Sequence, residues 1–571
     1  MKLKLTSLAV IATLVIVFAS CSGKADVPVP EDAAIVIHID GASLSSKLPW
    51  DEIKKSEWFK VANEEIKDDL AKKILDNPDE SGVNVKSDAY LFMKTRGRGG
   101  YIAFICGISD EKKFEAFIGK AREGDKVEKK EGLSVMADNN NVLTWDDKRL
   151  VFIADNPDIN SGASMMGNGG KSRRFDTDSL LKFAKEVYDL KGSKSLGSNS
   201  KFASLMKEGG DVHFWMNAGS LYSNALPAML AITKASLLFE GNISAASISF
   251  DNGKITAKGR SYYNKELAAV YKKYSMKNMD EDMLKSIPAG DVAAVIGMNY
   301  PPEGVKEFIS LLGVDGLVNM FLAEAGFSVE DFVKANKGDL LLSVSDFSVG
   351  EKEKTITMYD GTKSTYKSTQ PDAKTLFATS VADKPSFEKL MTILKEKIGQ
   401  EAGAGTNDFV NKIPYLLKDN WFIAGSDSAS VHTFGVAKTD HSFISKIKGH
   451  PMGGFLDIQK FISGSKSSFA GDSTATLIAD QSLKVWQDIV FHGGEFKDGG
   501  TESYMEINLV DKNTNSLKQL NSYLGFIVVK MREKEKRREE AYRREWDTQG
   551  PDSALAPPST PPPGIEMKPV K

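Results

Sequence analysis

Pro30-Glu31-Asp32-Ala33-Ala34-Ile35-Val36-Ile37 returns, with one inserted residue, as Pro288-Ala289-Gly290-Asp291-Val292-Ala293-Ala294-Val295-Ile296. Both stretches read as a loop feeding a strand, with proline and an acidic residue ahead of an apolar run. Four further matches follow in the same order. Asp110 with Phe114-Glu115 returns as Asp383 with Phe387-Glu388 at an offset of 273, and Phe152-Ile153-Ala154 returns as Phe422-Ile423-Ala424 at 270. Phe202 returns as Phe461 at 259, and a strand expected to open at Asp211 returns as one expected to open at Asp472, at 261. Any one short word recurs by chance. Five in order, with offsets between 259 and 273, argue for duplication with drift in loop length. The period is several times the roughly 20 to 50 residues of a stacking repeat, so a solenoid is excluded.

Working outward, each copy reads as α+β. Ala33 to Ile39, Ala89 to Met93, Tyr101 to Ile108, Leu150 to Ala154 and Val212 to Met216 are short, rich in β-branched and aromatic residues, and bounded by Gly, Asp or Asn. Helical periodicity runs through Ser56 to Ile74, Glu111 to Arg122 and Asp178 to Leu190, and in the second copy through Val305 to Ala325 and Ser386 to Ile398. Asp110 and Asp383 stand where an N-cap starts a helix. The Gly-, Ser-, Asn- and Lys-rich stretch Asp155 to Ser200, and about His450 to Gly471 in the second copy, read as boundaries or long loops between an N-terminal and a C-terminal subdomain. The expected fold is therefore α+β: two tandem copies of a mixed sheet-and-helix unit, residues 30–275 and 276–524, each split in two, with a C-terminal helix. A polar hairpin, Asp346 to Asp372, is inserted where the first copy has only Thr95 to Gly100.

Both ends depart from this pattern. Lys2 and Lys4, the apolar run Leu5 to Phe18 and the box Phe18-Ala19-Ser20-Cys21 make a lipoprotein signal with its thiol at the first mature position. The apolar run is too short to span a bilayer. Residues 1–20 are the expected signal peptide, Cys21 the expected site of lipid attachment and 21–29 the lipidated linker. At the other end, Leu517, Leu520, Leu524, Ile527 and Val528 mark one apolar helix face, and the pattern continues into Lys530 to Glu545, where charge takes over; residues 525–550 are the expected charged helix, a solvated extension of the last one. Glu533/Arg537, Glu539/Arg543 and Glu540/Arg544 are i, i+4 pairs worth roughly 0.2–0.5 kcal/mol each, as on a solvated helix. Residues 551–571 hold seven of the chain's 20 prolines and read as a disordered or polyproline-like tail.

Composition narrows the function. Of 571 residues, 41% are hydrophobic and 26% charged, as in an ordinary globular protein. Loss of Lys2 and Lys4 with the leader takes the formal net charge from −3 to −5, which argues against nucleic-acid binding. Cys106 lies in an apolar run and, with Cys21 acylated, has no disulfide partner. It reads as a buried small hydrophobe.

No reaction motif emerges. His38 and His213 fall in expected strands, His432, His441 and His450 are spaced at nine residues, and His492 opens a Gly turn; none has zinc spacing. Gly167-Asn168-Gly169-Gly170-Lys171-Ser172 resembles the end of a phosphate loop, but Met165 replaces the first glycine the motif requires. Arg96-Gly97-Arg98-Gly99-Gly100 reads as a hairpin turn. No G-x-S-x-G, H-E-x-x-H or EF-hand loop occurs. No catalytic residue, metal ligand or cofactor is expected from these motifs.

The leader with Cys21, the run Pro30-Glu31-Asp32-Ala33-Ala34, the segment Leu48-Pro49-Trp50 and the duplication together resemble a family of large lipoproteins from Bacteroides-type bacteria, domain of unknown function 4836. The resemblance spans about Pro28 to Leu524 and implies an envelope location with no catalytic residue to transfer. Ser22-Gly23-Lys24-Ala25-Asp26 carries a single acid, which favours the periplasmic face of the outer membrane over the cell surface. Two functions follow as expectations. One is a lipid-anchored, non-catalytic module that binds an envelope protein or polymer between its copies. The other is a hydrolase acting on envelope glycan or peptide through carboxylates, which leave no local signature.

Overall fold

The computed structural model describes residues 27–65, 72, 76–97, 99–121, 126–138, 140–156, 174–222, 233–324, 326–357, 362–401 and 413–548. Cys21 and the leader, Gly167 to Ser172 and the proline-rich tail lie outside the described residues.

The first half contributes β1 (Ile35–Ile39), β2 (Ala89–Arg96), β3 (Gly99–Gly107), β4 (Glu128–Lys130), β5 (Leu133–Ala137), β6 (Asn141–Trp145), β7 (Arg149–Asp155), β8 (Val212–Asn217), β9 (Ile243–Asp251) and β10 (Lys254–Tyr262). The second contributes β11 (Val292–Asn299), β12 (Asn336–Thr357), β13 (Lys363–Val381), β14 (Tyr415–Lys418), β15 (Trp421–Gly425), β16 (Met452–Asp457), β17 (Trp486–Lys497) and β18 (Gly500–Leu509). The helices used below are α1 (Gly41–Lys47), α2 (Glu57–Glu65), α3 (Glu111–Ala121), α4 (Thr177–Tyr188), α5 (Ser200–Lys207), α6 (Lys265–Lys273), α7 (Pro302–Leu311), α8 (Asp315–Glu324), α9 (Lys384–Glu401), α10 (Ile458–Gly464), α11 (Ser473–Val485) and α12 (Ser516–Thr548).

Every strand pairing among the described residues is antiparallel, and the pairings join into one open sheet. From its outer edge the first half runs β4-β5-β6-β7-β3-β2-β1-β8-β9-β10. The second half runs β14-β15-β13-β12-β11-β16-β17-β18. Apart from the added β4 and β5, the two orders are the same. The halves meet where β10 pairs with β18, nine residue pairs from Lys254 opposite Asn508 to Tyr262 opposite Gly500, with Lys258 opposite Tyr504 at the centre.

Side-chain alternation explains why the inner strands read as continuous apolar runs. On β3, Tyr101, Ala103 and Ile105 enter a core with Leu180 and Ala184 of α4 and Phe202 of α5, whereas Phe104 and Cys106 enter a second core with Phe114 of α3. The sheet is covered on both faces there. Trp145, Trp215, Tyr101, Phe92, Phe114 and Phe202 are among its fully buried side chains, each stabilising the fold by roughly 1.5–3 kcal/mol. The second half repeats this around Val295, Leu341, Ile423 and Phe455 on one side and Phe387 with Phe422 on the other. Asp110 and Asp383 cap α3 and α9, accepting from Lys113 N at 3.0 Å and Ser386 N at 2.9 Å.

Several expectations are corrected. β1 hydrogen-bonds to β2 on one side and β8 on the other, so among the described residues one sheet runs through each half rather than two subdomains. The helix expected over Asp178 to Leu190 is α4, whose Leu180 and Ala184 are buried. His450 to Gly471 likewise contains β16, a central strand of the second half. Two of the sequence matches misalign. Phe202 precedes β8 on α5 whereas Phe461 follows β16 on α10, and Asp472 opens no strand but caps α11. The strand in β8's place is β16. Aspartate suits both a helix cap and a strand-opening loop, so an isolated Asp does not tell them apart. Val305 to Ala325 divides into α7 and α8 at Gly313, whose φ of +67° breaks the helix. The C-terminal helix, by contrast, is continuous from Ser516 with its charged part as the exposed far end, the expected extension of the last helix.

Candidate functional site

Alternation along β10 sends Lys258, Arg260 and Tyr262 to one face of the sheet, and Tyr262 joins the first-half core on that face. The helices that cover this face leave the seam open at Lys258. Register then builds a transverse row: Lys258 lies opposite Tyr504, and Tyr504 opposite His492, on three adjacent strands. These residues line a cavity of about 490 Å³ that also takes Arg260 and Glu208 from the first half and His450, Glu495 and Glu502 from the second.

The rings in this cavity are stacked. His450 lies on His492 with centroids 3.7 Å apart and 14° between planes, and His492 lies on Tyr504 at 5.0 Å and 28°. His450 Nδ1 is hydrogen-bonded to Glu495. Tyr504 donates to Glu506 Oε2 at 2.8 Å, and Lys254 Nζ pairs with the same oxygen at 2.8 Å. Burial by itself raises a carboxyl's pKa; at Glu506 it is outweighed by hydrogen bonds from Lys254, Tyr504 and Asn508, which hold the group below its ordinary range. Burial and then the neighbouring His450 depress His492, which favours its neutral form. Burial and Glu506 push the Tyr504 phenol up, so it stays a donor. Arg260 donates to Lys497 O at 2.9 Å and pairs with Asp498 and Glu502, closing one wall. The floor is thus a stack of flat rings, and the rim carries both signs of charge.

The sequence-level candidates scatter. Cys21 lies outside the described residues. Cys106 is 1% exposed and burial raises its thiol pKa, as befits a packed hydrophobe. His38 and His213 meet in the first-half core, Nδ1 to Nδ1 at 3.0 Å, with His213 Nε2 also 3.1 Å from Gly209 O. His432 bonds Ser428 O within its own helix, and His441 lies on Phe443, away from His450. His492 opens no turn: it is inside β17, and the glycines after it form a bulge between Gly493 and Phe496. Among the described residues no group of three or more His, Cys, Asp or Glu is placed to hold a metal ion.

Sequence reasoning missed the seam row because its members are distant in the chain and Lys258, Tyr504 and Glu208 belong to no motif. The one available signal was His492 beside Gly493 and Gly494, whose lack of side chains permits the close strand approach there.

None of the curated proteins matches the chain. Among solved structures it is similar to crystal forms IV, I and III of TP0453, with a TM-score of 0.23 in each case and identities of 11%, 12% and 11%. The matches cover 43%, 43% and 47% of this chain and 85%, 81% and 88% of that one. The family model for a domain of unknown function, DUF4836, matches residues 26–395, the whole first half and the second as far as α9, and the chain belongs to that family.

Proposed function

We propose that this chain is a lipid-anchored cell-envelope protein whose folded body is a non-catalytic binding module, taking an envelope protein or polymer at the seam between its halves. The anchor is the lipid on Cys21, exposed once residues 1–20 are removed. The location is the outer membrane on its periplasmic side, with the cell surface as the other face to test. The observation that carries the reading is the row Lys258, Tyr504 and His492, set in a cavity to which both halves contribute. Stacked rings offer flat surface to a ring-bearing ligand, and Lys258, Glu208, Glu495 and Glu502 surround it with charged hydrogen-bonding groups.

Carboxylate-dependent hydrolysis of envelope glycan or peptide is the competing reading. It requires an acid held protonated near neutral pH. Among the described residues, the carboxylates with displaced pKa values, such as Glu115, Asp346, Asp472 and Glu506, are displaced downward by lysines and backbone or side-chain donors. That supports the binder.

The test titrates detergent-solubilised full-length protein with soluble peptidoglycan fragments and with lipopolysaccharide-derived glycans by calorimetry. Tyr504→Ala and Lys258→Glu are expected to weaken binding of the ligand taken up by about tenfold or more, the scale of a well-packed contact or a charge reversal. Equal affinity in both variants moves the site away from the seam, and release of shortened fragments during incubation turns the reading to the hydrolase. Separately, Cys21→Ser is expected to move the protein from the membrane to the soluble fraction; full retention in the membrane overturns the anchor.

A further inference from the structure

Helix α8 leaves an apolar stripe uncovered. Leu317 is 51% exposed, Met320 54% and Phe321 62%, at the i, i+3, i+4 spacing that puts them on one face. The opposite side is the packed one: Asn319 Oδ1 is 3.5 Å from Val329 N at the start of the next helix, and Val318 and Leu322 are half-buried. At ten residues the helix is far too short to cross a membrane, and among the described residues no helix is long and apolar enough to do so.

The position of α8 relative to Val27, the first described residue, says what covers the stripe. The carbonyl of Val27 accepts from Ser195 Oγ at 2.7 Å, and the chain from there reaches β1 beside the end of β8, where Asn217 N donates to Ala34 O at 2.8 Å. The next residue, Ala218, lines an apolar cavity of about 310 Å³ together with Tyr222, Phe239, Tyr262 and Phe308 of α7. The last turn of α7 is tied to the same place, Lys234 N donating to Leu312 O at 2.9 Å, and α8 follows directly. Strand register agrees: Ile35 faces Met216, and stepping across the sheet through β9, β10, β18, β17 and β16 to β11 puts Met298, just ahead of α7, at the same ends of the strands. Cys21 is six residues before Val27, a reach of at most about 20 Å even when fully extended. A lipid on Cys21 therefore holds this end of the body close to the bilayer.

We infer that the Leu317, Met320 and Phe321 face of α8 docks into the acyl boundary of the lipid surface in which Cys21 is anchored, and so sets the orientation of the body. This rests on the lipid-anchor reading above. A short apolar face adds little to the retention that the acyl chains already supply. Its effect is to choose which side of the sheet faces away from the membrane.

The experiment uses acylated full-length Phe321→Cys carrying an environment-sensitive fluorophore in phosphatidylethanolamine/phosphatidylglycerol vesicles. The label is unique, because Cys106 is buried and Cys21 is acylated. A matched label is placed by Tyr366→Cys on the β12–β13 hairpin, where Tyr366 is 44% exposed. The label at 321 is expected to shift to the blue on vesicle binding and to be quenched at least about twofold by lipids brominated in the upper acyl chain, the one at 366 to do neither, and Leu317→Ser with Met320→Ser to abolish the response at 321. A membrane-bound protein whose label at 321 stays water-exposed overturns the inference while leaving the anchor intact. Protein that does not associate with vesicles overturns the anchor itself. A blue shift without vesicles that grows with protein concentration assigns the face to a second copy of the chain and also overturns the inference.

Discussion

Replacement of Asp211 tests how the first half is closed. Its side chain is fully buried and accepts from Ser43 Oγ, from Lys47 Nζ at 2.7 Å and from Phe250 N at 2.6 Å, while its backbone carbonyl accepts from Asp40 N at 2.9 Å. One carboxylate thus ties α1 to β8 and β9. Asp211→Ala orphans the Phe250 amide and the lysine together. Breaking a buried pair from one side costs about 3–5 kcal/mol. The side chain of Lys47 is 24% exposed, so its ammonium can turn to water and the cost falls to the lower end, about 3 kcal/mol. Asp211→Asn keeps one acceptor oxygen but presents an NH₂ group to Lys47 or Phe250, for about 2 kcal/mol. Lys47→Met keeps the packed stem and leaves the carboxylate with two donors, for about 1 kcal/mol. Urea unfolding of the full chain followed by far-ultraviolet circular dichroism, with midpoints compared at a common slope, ranks the three. A loss under about 1 kcal/mol for Asp211→Ala, or an equal loss for Lys47→Met, refutes the claim that the buried acceptor organises this junction.

Burial and then the adjacent His38 depress the pKa of His213, so the unfolded chain takes up a proton there before the folded one does. The stability this contributes is fully present above the ordinary histidine value of about 6.5 and is lost as pH falls through the depressed folded value. The urea midpoint should be lower at pH 5.5 than at pH 7.5 by a margin that shrinks in His213→Asn; an unchanged margin removes His213 as the cause. Gly253 has φ +67°, and a Cβ there meets Lys512 Cα at 2.5 Å, so Gly253→Ala should cost at least about 2 kcal/mol by the same urea assay. Truncation after Val529 removes exposed pairs such as Arg532 with Glu64 and should cost no more than about 1–2 kcal/mol. Truncation after Asn515 also removes the bonds of Asn521 to Trp58 and Tyr523 to Ser482, and should lower the melting temperature by several degrees. Equal losses for the two truncations would place the docking energy in the charged end of α12.

Local chemistry determined a good deal of this protein from sequence. The β-branched runs became β1, β3, β7 and β8, and Asp110 and Asp383 cap their helices, because strand preference, capping and alternation act over a few residues. The matched words around Asp32 and Asp291, and around Phe152 and Phe422, fall on strands in the same place in the two halves. The matches failed where they rested on single residues: Asp211 is a buried acceptor and Asp472 a helix cap, two uses of one side chain that sequence does not separate. Composition misled near Asp155 to Ser200: the helix there was legible, but the glycines and serines around it suggested a boundary within what is one sheet.

Only the tertiary structure decided the rest. Lys258, Tyr504 and His492 form a row because β10 pairs with β18 and β18 with β17 in one register, and a slip of one residue turns a side chain to the other face. His38 meets His213 across 175 residues for the same reason. Long-range register is set by the packing of whole faces against one another, a sum over cores such as those around Trp215 and Phe455, and no short stretch of chain carries it.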